Sequence, residues 1–139
     1  MEAVPAPSRS HRSRLSLAGL TALMAGAGVS HFLKPGLYRR IVPDPPGHPV
    51  AVVAVSGAAE LACAALLASP RTRRTGAWAT AALLVAVFPA NVKMALDGGY
   101  PDMGFPANNR LACWLRLPVQ LPLVLWALSF RRPGAPNSA

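Results

Sequence analysis

Residues 50–69 read VAVVAVSGAAELACAALLAS, an apolar stretch of 20 residues whose one charged side chain is Glu60. Three more apolar stretches of similar length occupy residues 15–33, 76–96 and 111–130. A helix of about 20 residues crosses the ~30 Å hydrocarbon core of a bilayer, whereas core helices of soluble proteins usually carry a polar face. The pattern therefore predicts an all-α, polytopic membrane protein built as a bundle of four transmembrane helices.

The composition agrees with a membrane protein. Hydrophobic residues make up 53% of the 139 residues and charged residues only 14%, whereas soluble domains carry about 25% charged residues. A disordered chain is excluded because disorder requires low hydrophobicity. We expect a disordered basic tail at residues 1–14, a membrane domain at 15–130 and a second disordered tail at 131–139.

The basic residues predict the orientation, because Lys and Arg are enriched on the cytoplasmic side of membrane proteins. The chain has 14 of them and a net charge of +9. On the side of both termini lie Arg9, Arg12, Arg14, Arg71, Arg73, Arg74, Arg131 and Arg132. On the opposite side lie Lys34, Arg39, Arg40, Lys93 and Arg110. We therefore expect both termini in the cytoplasm, a multi-pass protein of the cell inner membrane, and contact with the lipid bilayer but with no nucleic acid.

The first stretch has an alternative interpretation as a secretory signal, with small residues at 25–27 as the cleavage site. The apolar sequence continues to Leu33, which favours a membrane span. In the link that follows, residues 34–49, five prolines exclude a long helix. Residues 36–42 could form two amphipathic turns at the membrane surface, the alternative being a plain loop. Pro89 is expected to kink the third helix.

Ionisable and amide side chains inside the predicted spans are candidates for a functional site, since such groups are costly in a membrane. From the helical rise and the expected orientation, we predict one polar cluster in the outer half of the bundle, with Glu60 beneath the others. Its members are His31, Glu60, Asn91, Lys93, Arg116 and Gln120. Glu60 is expected to pair with Arg116 or, as second choice, with Lys93.

Each member of this cluster also has a purely structural interpretation. His31 and Lys93 could extend towards the membrane surface, and Asn91 and Gln120 could join helices by hydrogen bonds. Glu60 and Arg116 could form a structural salt bridge.

Two other features bear on packing and chemistry. Small residues recur every fourth position, as Ala18, Ala22, Gly26 and Ser30 and as Ala54, Ala58 and Ala62. Such ridges allow helices to approach closely, although an alanine-rich composition would also produce them. Cys63 and Cys113 should differ in depth by about 15 Å, beyond the reach of a disulfide. The sequence has no metal-ligand or phosphate-binding motif, so we expect no catalytic residue, no metal and no intrinsic cofactor.

Five short motifs, in order along most of the chain, carry a family resemblance. The first is residues 28–32 (GVSHF) followed by Pro35, Tyr38 and residues 41–43 (IVP). The others are residues 56–57 (SG) with Glu60, 70–74 (PRTRR), 88–91 (FPAN) and 116–120 (RLPVQ). Together they resemble the DoxX-like family of small integral membrane proteins, whose members are four-helix membrane bundles.

The resemblance implies a function as well as a fold. The family takes its name from a small membrane subunit of a thiosulfate:quinone oxidoreductase, and related members are associated with redox or thiol-stress complexes. The chain would then be a non-catalytic membrane subunit or anchor of such a complex, with a redox partner protein. Quinone would be the cofactor, with His31, Lys93 and Arg116 donating hydrogen bonds to it and Glu60 accepting a proton. Two alternatives remain: a small transporter or channel for a proton or polar solute, and a purely structural assembly protein.

Overall fold

The computed structural model of the chain describes residues 9–44 and 47–132. Over these residues it contains six helices and no strand. The helices are α1 (Arg9–Leu33), α2 (Pro35–Arg40), α3 (Pro49–Ala68), α4 (Arg73–Ala86), α5 (Phe88–Leu96) and α6 (Arg110–Ser129). With α4 and α5 taken together, four segments are long and apolar enough to cross a membrane. The predicted all-α, four-helix membrane bundle is confirmed, and the chain is a multi-pass membrane protein.

The observed bounds differ from the predicted ones mainly at the N-terminus. α1 begins at Arg9 instead of residue 15, so residues 9–14 are helical and the prediction of a disordered tail is wrong for them. Arginine is a good helix former, which favours this extension. Residues 1–8 and 133–139, also predicted to be disordered, lie outside the described residues.

The third membrane segment is divided at Val87, where α4 ends and α5 begins. Pro89 lies in the first turn of α5, where a proline is tolerated because its missing N–H would have no partner there. The Val87 carbonyl accepts the N–H groups of Ala90, at 3.1 Å, and Asn91, at 3.3 Å. The interruption expected from Pro89 is therefore present, two residues before the proline itself.

The four long helices pack in the order α1, α3, α4, α6. α6 returns to α1, where the Trp126 indole N–H donates to the Ser16 hydroxyl at 2.8 Å. The buried residues shared by these helices form a small apolar core, made of Leu20, Met24, Cys63, Ala64, Leu67, Ala77, Ala81 and Ala127. Large apolar side chains such as Leu33, Val55 and Leu111 are more than half exposed, as expected for surfaces that face lipid.

α1 and α3 approach each other most closely at Gly28 and Gly57. A Cβ atom at Gly57 would lie 2.7 Å from the Cβ of His31, and one at Gly28 would lie 2.9 Å from the Gly57 carbonyl oxygen. Small residues therefore do pack helices together here, but they are not the predicted ones. On the predicted ridges, Ala18, Ala22, Gly26, Ala54, Ala58 and Ala62 are exposed.

α2 closes one end of the bundle, which we call the cap end, together with the loop of residues 97–109. Its Leu37 side chain, with Ile41 just beyond the helix, packs against a second apolar cluster. That cluster consists of Met94, Ala95, Met103, Ala107 and Cys113. The amphipathic turns expected between residues 36 and 42 are thus present as a short helix. This helix packs against α1 and α3 on one side and against the apolar cluster of α5 and α6 on the other.

Candidate functional site

The six side chains of the predicted polar cluster lie in four separate places. His31 and Glu60 contact each other between α1 and α3. Asn91 and Gln120 are hydrogen-bonded between α5 and α6. Lys93 pairs with Asp97 at the cap end, and Arg116 is exposed on the outside of α6. One continuous cluster is therefore not formed.

The His31–Glu60 pair is the buried ionisable site of the described chain. His31 Nδ1 lies 3.0 Å from Glu60 Oε2, and each side chain is 10% exposed. Glu60 is eleven residues from the start of α3, about 16 Å along the helix and close to its middle. The Gly28–Gly57 contact lies beside the pair and sets the short distance between the two helices. A carboxyl group and an imidazole therefore meet inside the helix bundle, shielded from its surface.

The hydrogen at His31 Nδ1 has two acceptors within reach. Nδ1 lies 2.8 Å from the Ala27 carbonyl oxygen, and in this orientation Glu60 Oε2 receives no hydrogen bond from any described residue. The Ala27 carbonyl also accepts the Ser30 hydroxyl at 2.7 Å. The Ala27 carbonyl therefore keeps a hydrogen bond when the Nδ1 hydrogen is shared with, or passes to, Glu60 Oε2. A buried carboxyl oxygen without a donor is costly, so the arrangement favours a proton placed between Nδ1 and Oε2.

Tyr38 covers the imidazole and was not among the predicted site residues. Its ring stacks on that of His31 with centroids 3.8 Å apart and planes inclined by 20°. Its hydroxyl is hydrogen-bonded to Ser30; because the Ser30 hydrogen goes to Ala27, the tyrosine is the donor. The sequence signal for this contact is the first motif of the family resemblance, which contains both His31 and Tyr38. In the structure, Pro35 starts a new helix that turns Tyr38 back towards α1.

Gln120 bridges the break between α4 and α5. Its Nε2 group donates to the Leu84 carbonyl, and its Oε1 atom accepts Asn91 Nδ2 at 3.2 Å. Both amide side chains are 8% exposed. The interpretation of these two residues as interhelical hydrogen-bonding groups therefore fits their contacts.

We expect Gln120→Leu to lower the free energy of unfolding in detergent by about 1–2 kcal/mol, because interhelical hydrogen bonds in membranes contribute up to ~1.7 kcal/mol each. Thermal unfolding followed by circular dichroism measures the effect. Leu121→Ala, a neighbouring exposed position, serves as the control and should change the midpoint less. Equal midpoints for Gln120→Leu and the parent chain would contradict the structural role of the bridge.

The cap end carries two further ion pairs at its surface. Lys93 Nζ donates to Asp97 at 2.6 Å, and Tyr100 also donates to Asp97. Both interactions stabilise the carboxylate and lower the pKa of Asp97. Arg40 pairs with Asp102 at 2.6 Å and lowers the pKa of that exposed carboxyl group. Burial is the main cause that raises the pKa of Tyr100, and the hydrogen bond with Asp97 is the second.

The predicted pairing of Glu60 is wrong for both candidates. Arg116 is exposed on α6, and Lys93 is occupied by Asp97 at the cap end. The partner is His31, on the neighbouring helix α1. An Arg side chain is long enough to reach the headgroup layer from the outer turns of a span, which accounts for an exposed Arg116.

The described residues do not fit the quinone site implied by the resemblance. His31, Lys93 and Arg116 point to different parts of the molecule and do not converge on one acceptor. Two grooves of about 460 and 310 Å³ lie on the outside of the bundle, and neither is lined by His31, Glu60 or Arg116. No cluster of His, Cys, Asp and Glu within the described residues could hold a metal ion.

The family model described as "Domain of unknown function (DUF8561)" matches residues 20–131. This covers most of the chain, with α1 from residue 20 onwards and all of α2 to α6, so the chain belongs to this family. The match includes His31, Tyr38 and Glu60. No curated protein and no solved structure matches the chain.

Proposed function

We propose that the chain is a non-catalytic membrane subunit that binds and releases one proton at the His31–Glu60 pair. The observation that carries the proposal is the buried Oε2 atom of Glu60, which lies 3.0 Å from an imidazole nitrogen and accepts no hydrogen bond from a described residue. Intramembrane carboxyl and imidazole groups in contact are typical of proton-relay sites. Imidazole changes its protonation near physiological pH, so such a pair can exchange a proton under cellular conditions.

The resemblance to the DoxX-like family supports a redox complex, quinone- or thiol-linked, as the setting. A proton-exchanging subunit fits this setting because electron transfer to organic acceptors is coupled to proton uptake. The excess of Lys and Arg on the side of both termini supports an orientation with both termini in the cytoplasm, in the inner membrane of the cell.

Infrared difference spectroscopy of the purified protein tests proton binding. We compare spectra at about pH 4 and pH 9, a range that brackets ordinary Glu and His titration. In the difference spectrum we expect the carbonyl band of a buried, protonated carboxyl group. Glu60→Gln should abolish this band, whereas Asp102→Asn, which changes an exposed carboxyl group, should leave it in place. Absence of any pH-dependent band assigned to Glu60 would overturn the proposal.

A second measurement separates a subunit from a transporter. The chain alone in liposomes should give no sustained proton flux with an internal pH-sensitive dye, and mild-detergent purification should recover a flavin- or iron–sulfur-containing partner. A sustained flux that Glu60→Gln abolishes would favour the transporter instead.

A further inference from the structure

α2 holds Tyr38 in a fixed position over the His31–Glu60 pair. Towards α1, the Tyr38 ring stacks on the imidazole and its hydroxyl binds Ser30. Away from α1, Arg40 donates to both carboxylate oxygens of Asp102, at 2.7 and 2.6 Å. The Tyr100 hydroxyl, whose single hydrogen goes to Asp97, lies 3.2 Å from the Arg40 carbonyl oxygen. The position of Tyr38 is therefore set from both sides of α2 and does not depend on His31 alone.

The stacked ring restricts how the imidazole can turn. A neutral imidazole has two ring nitrogens, of which one carries the hydrogen. Nδ1 faces Ala27 and Glu60, while Nε2 has no hydrogen-bond partner among the residues that the structure describes. Rotation of the ring by half a turn about the Cβ–Cγ bond would put Cδ2 in the place of Nδ1, and a stack at 3.8 Å opposes it.

We infer that Tyr38 is a positioning residue that keeps His31 oriented as the link between water at the cap end and Glu60. A proton from water adds to Nε2, and the hydrogen on Nδ1 passes to Glu60 Oε2. The imidazole is then neutral with its hydrogen on Nε2, Glu60 is a neutral carboxylic acid, and the site has gained one proton. Release follows the same steps in reverse. This inference rests on the proposed function of the pair.

The surroundings of the pair support entry from the cap end. Two hydroxyl groups, of Ser30 and Tyr38, lie beside the imidazole. Towards the opposite end of the bundle lies the apolar core that contains Leu20, Met24 and Leu67, which are at most 2% exposed. The other ionisable side chains next to the pair are Tyr38 on α2 and Cys63 on α3; α4 contributes the hydroxyl of Thr80 beside Cys63.

Nitrogen NMR of ¹⁵N-histidine-labelled protein measures which ring nitrogen carries the hydrogen. His31→Gln identifies the His31 signals among the three histidines. In the parent chain we expect one tautomer to dominate. Tyr38→Leu removes the stacking partner, and the ratio of the two tautomers should fall about fivefold, since an aromatic pair contributes ~0.5–1.5 kcal/mol. Tyr38→Phe keeps the ring and should keep most of the preference.

Phe105→Leu is the matched control, because Phe105 is an exposed aromatic residue in the loop at the cap end. It should leave the tautomer ratio unchanged. If Tyr38→Leu does not fold, Tyr38→Met, which fills more of the space without a ring, replaces it. An unchanged ratio in a folded Tyr38→Leu or Tyr38→Met variant would overturn the inference.

Glu60→Gln separates this inference from the proposed function. If Glu60→Gln leaves the His31 signals unchanged at every pH, the two residues do not share a proton and the proposed function fails. If Glu60→Gln changes these signals while the Tyr38 variants do not, the proton site stands and only the role of Tyr38 is overturned.

Discussion

His31→Leu is expected to lower the free energy of unfolding by about 3 kcal/mol, because it leaves the Glu60 carboxyl group buried without a partner. Glu60→Leu should cost less, since His31 keeps its contact with the Ala27 carbonyl at 2.8 Å. The double variant His31→Leu/Glu60→Leu should be about as stable as Glu60→Leu alone. The coupling energy between the two positions is then about 3 kcal/mol, at the upper end of the range for residues in direct contact. Reversible unfolding in mixed detergent micelles measures all four proteins.

Arg116 provides the comparison for this double-mutant cycle of His31 and Glu60. It lies exposed on α6 and away from Glu60, so the effects of Arg116→Leu and Glu60→Leu should add to within about 0.5 kcal/mol. A large coupling between Glu60 and Arg116, together with none between Glu60 and His31, would show that the observed pairing is wrong.

Gly57→Ala is expected to destabilise the protein by about 1–3 kcal/mol, the usual effect of overpacking. The new Cβ would lie 2.7 Å from the Cβ of His31 and 3.2 Å from the Gly28 carbonyl oxygen. Both atoms belong to the rigid part of α1, so the two helices must separate. Separation lengthens the 3.0 Å contact between His31 and Glu60, and the infrared band of Glu60 should shift. Thermal unfolding and infrared spectra of the same sample report the two effects.

Gly26→Ala is the matched control, half a turn from Gly28 on the same helix. A Cβ at Gly26 meets nothing within 4 Å. Alanine favours a helix over glycine by up to ~1 kcal/mol, so Gly26→Ala should be neutral or stabilising and should leave the Glu60 band unchanged. Equal effects at Gly26 and Gly57 would mean that α1 and α3 do not cross as observed.

The number of spans could be predicted from the sequence, because length and apolarity alone decide whether a helix can cross a bilayer. The direction in which a side chain faces could not. Glu60 and Arg116 were assigned to neighbouring depths from the helical rise, yet Arg116 lies on the outside of α6. In a helix that is apolar on all sides, no polar stripe marks which face is buried, so depth can be predicted without direction.

The pairing of Glu60 with His31 depends on the close approach of two helices, which hydropathy does not describe. His31 lies two residues before the end of α1, where an interfacial position was an equally good interpretation. It reaches Glu60 because Gly28 and Gly57 let the backbones of α1 and α3 come together. Both glycines are in motifs of the family resemblance, but spacing alone does not show that they face each other. Tyr38 likewise required the turn at Pro35, which brings α2 back over α1.

The position of the proton site along the chain has a consequence for how the protein is made. Every side chain that forms it, from Ser30 through Tyr38 to Glu60, belongs to α1, α2 or α3. Membrane proteins are synthesised from the N-terminus onwards, and contacts between nearby segments close at low entropic cost. The helical hairpin of α1 and α3 can thus assemble the site while α4 to α6 are still being translated. Asp102 and Tyr100, which contact Arg40 on the other side of α2, are translated later. Their contacts therefore stabilise a site that has already formed.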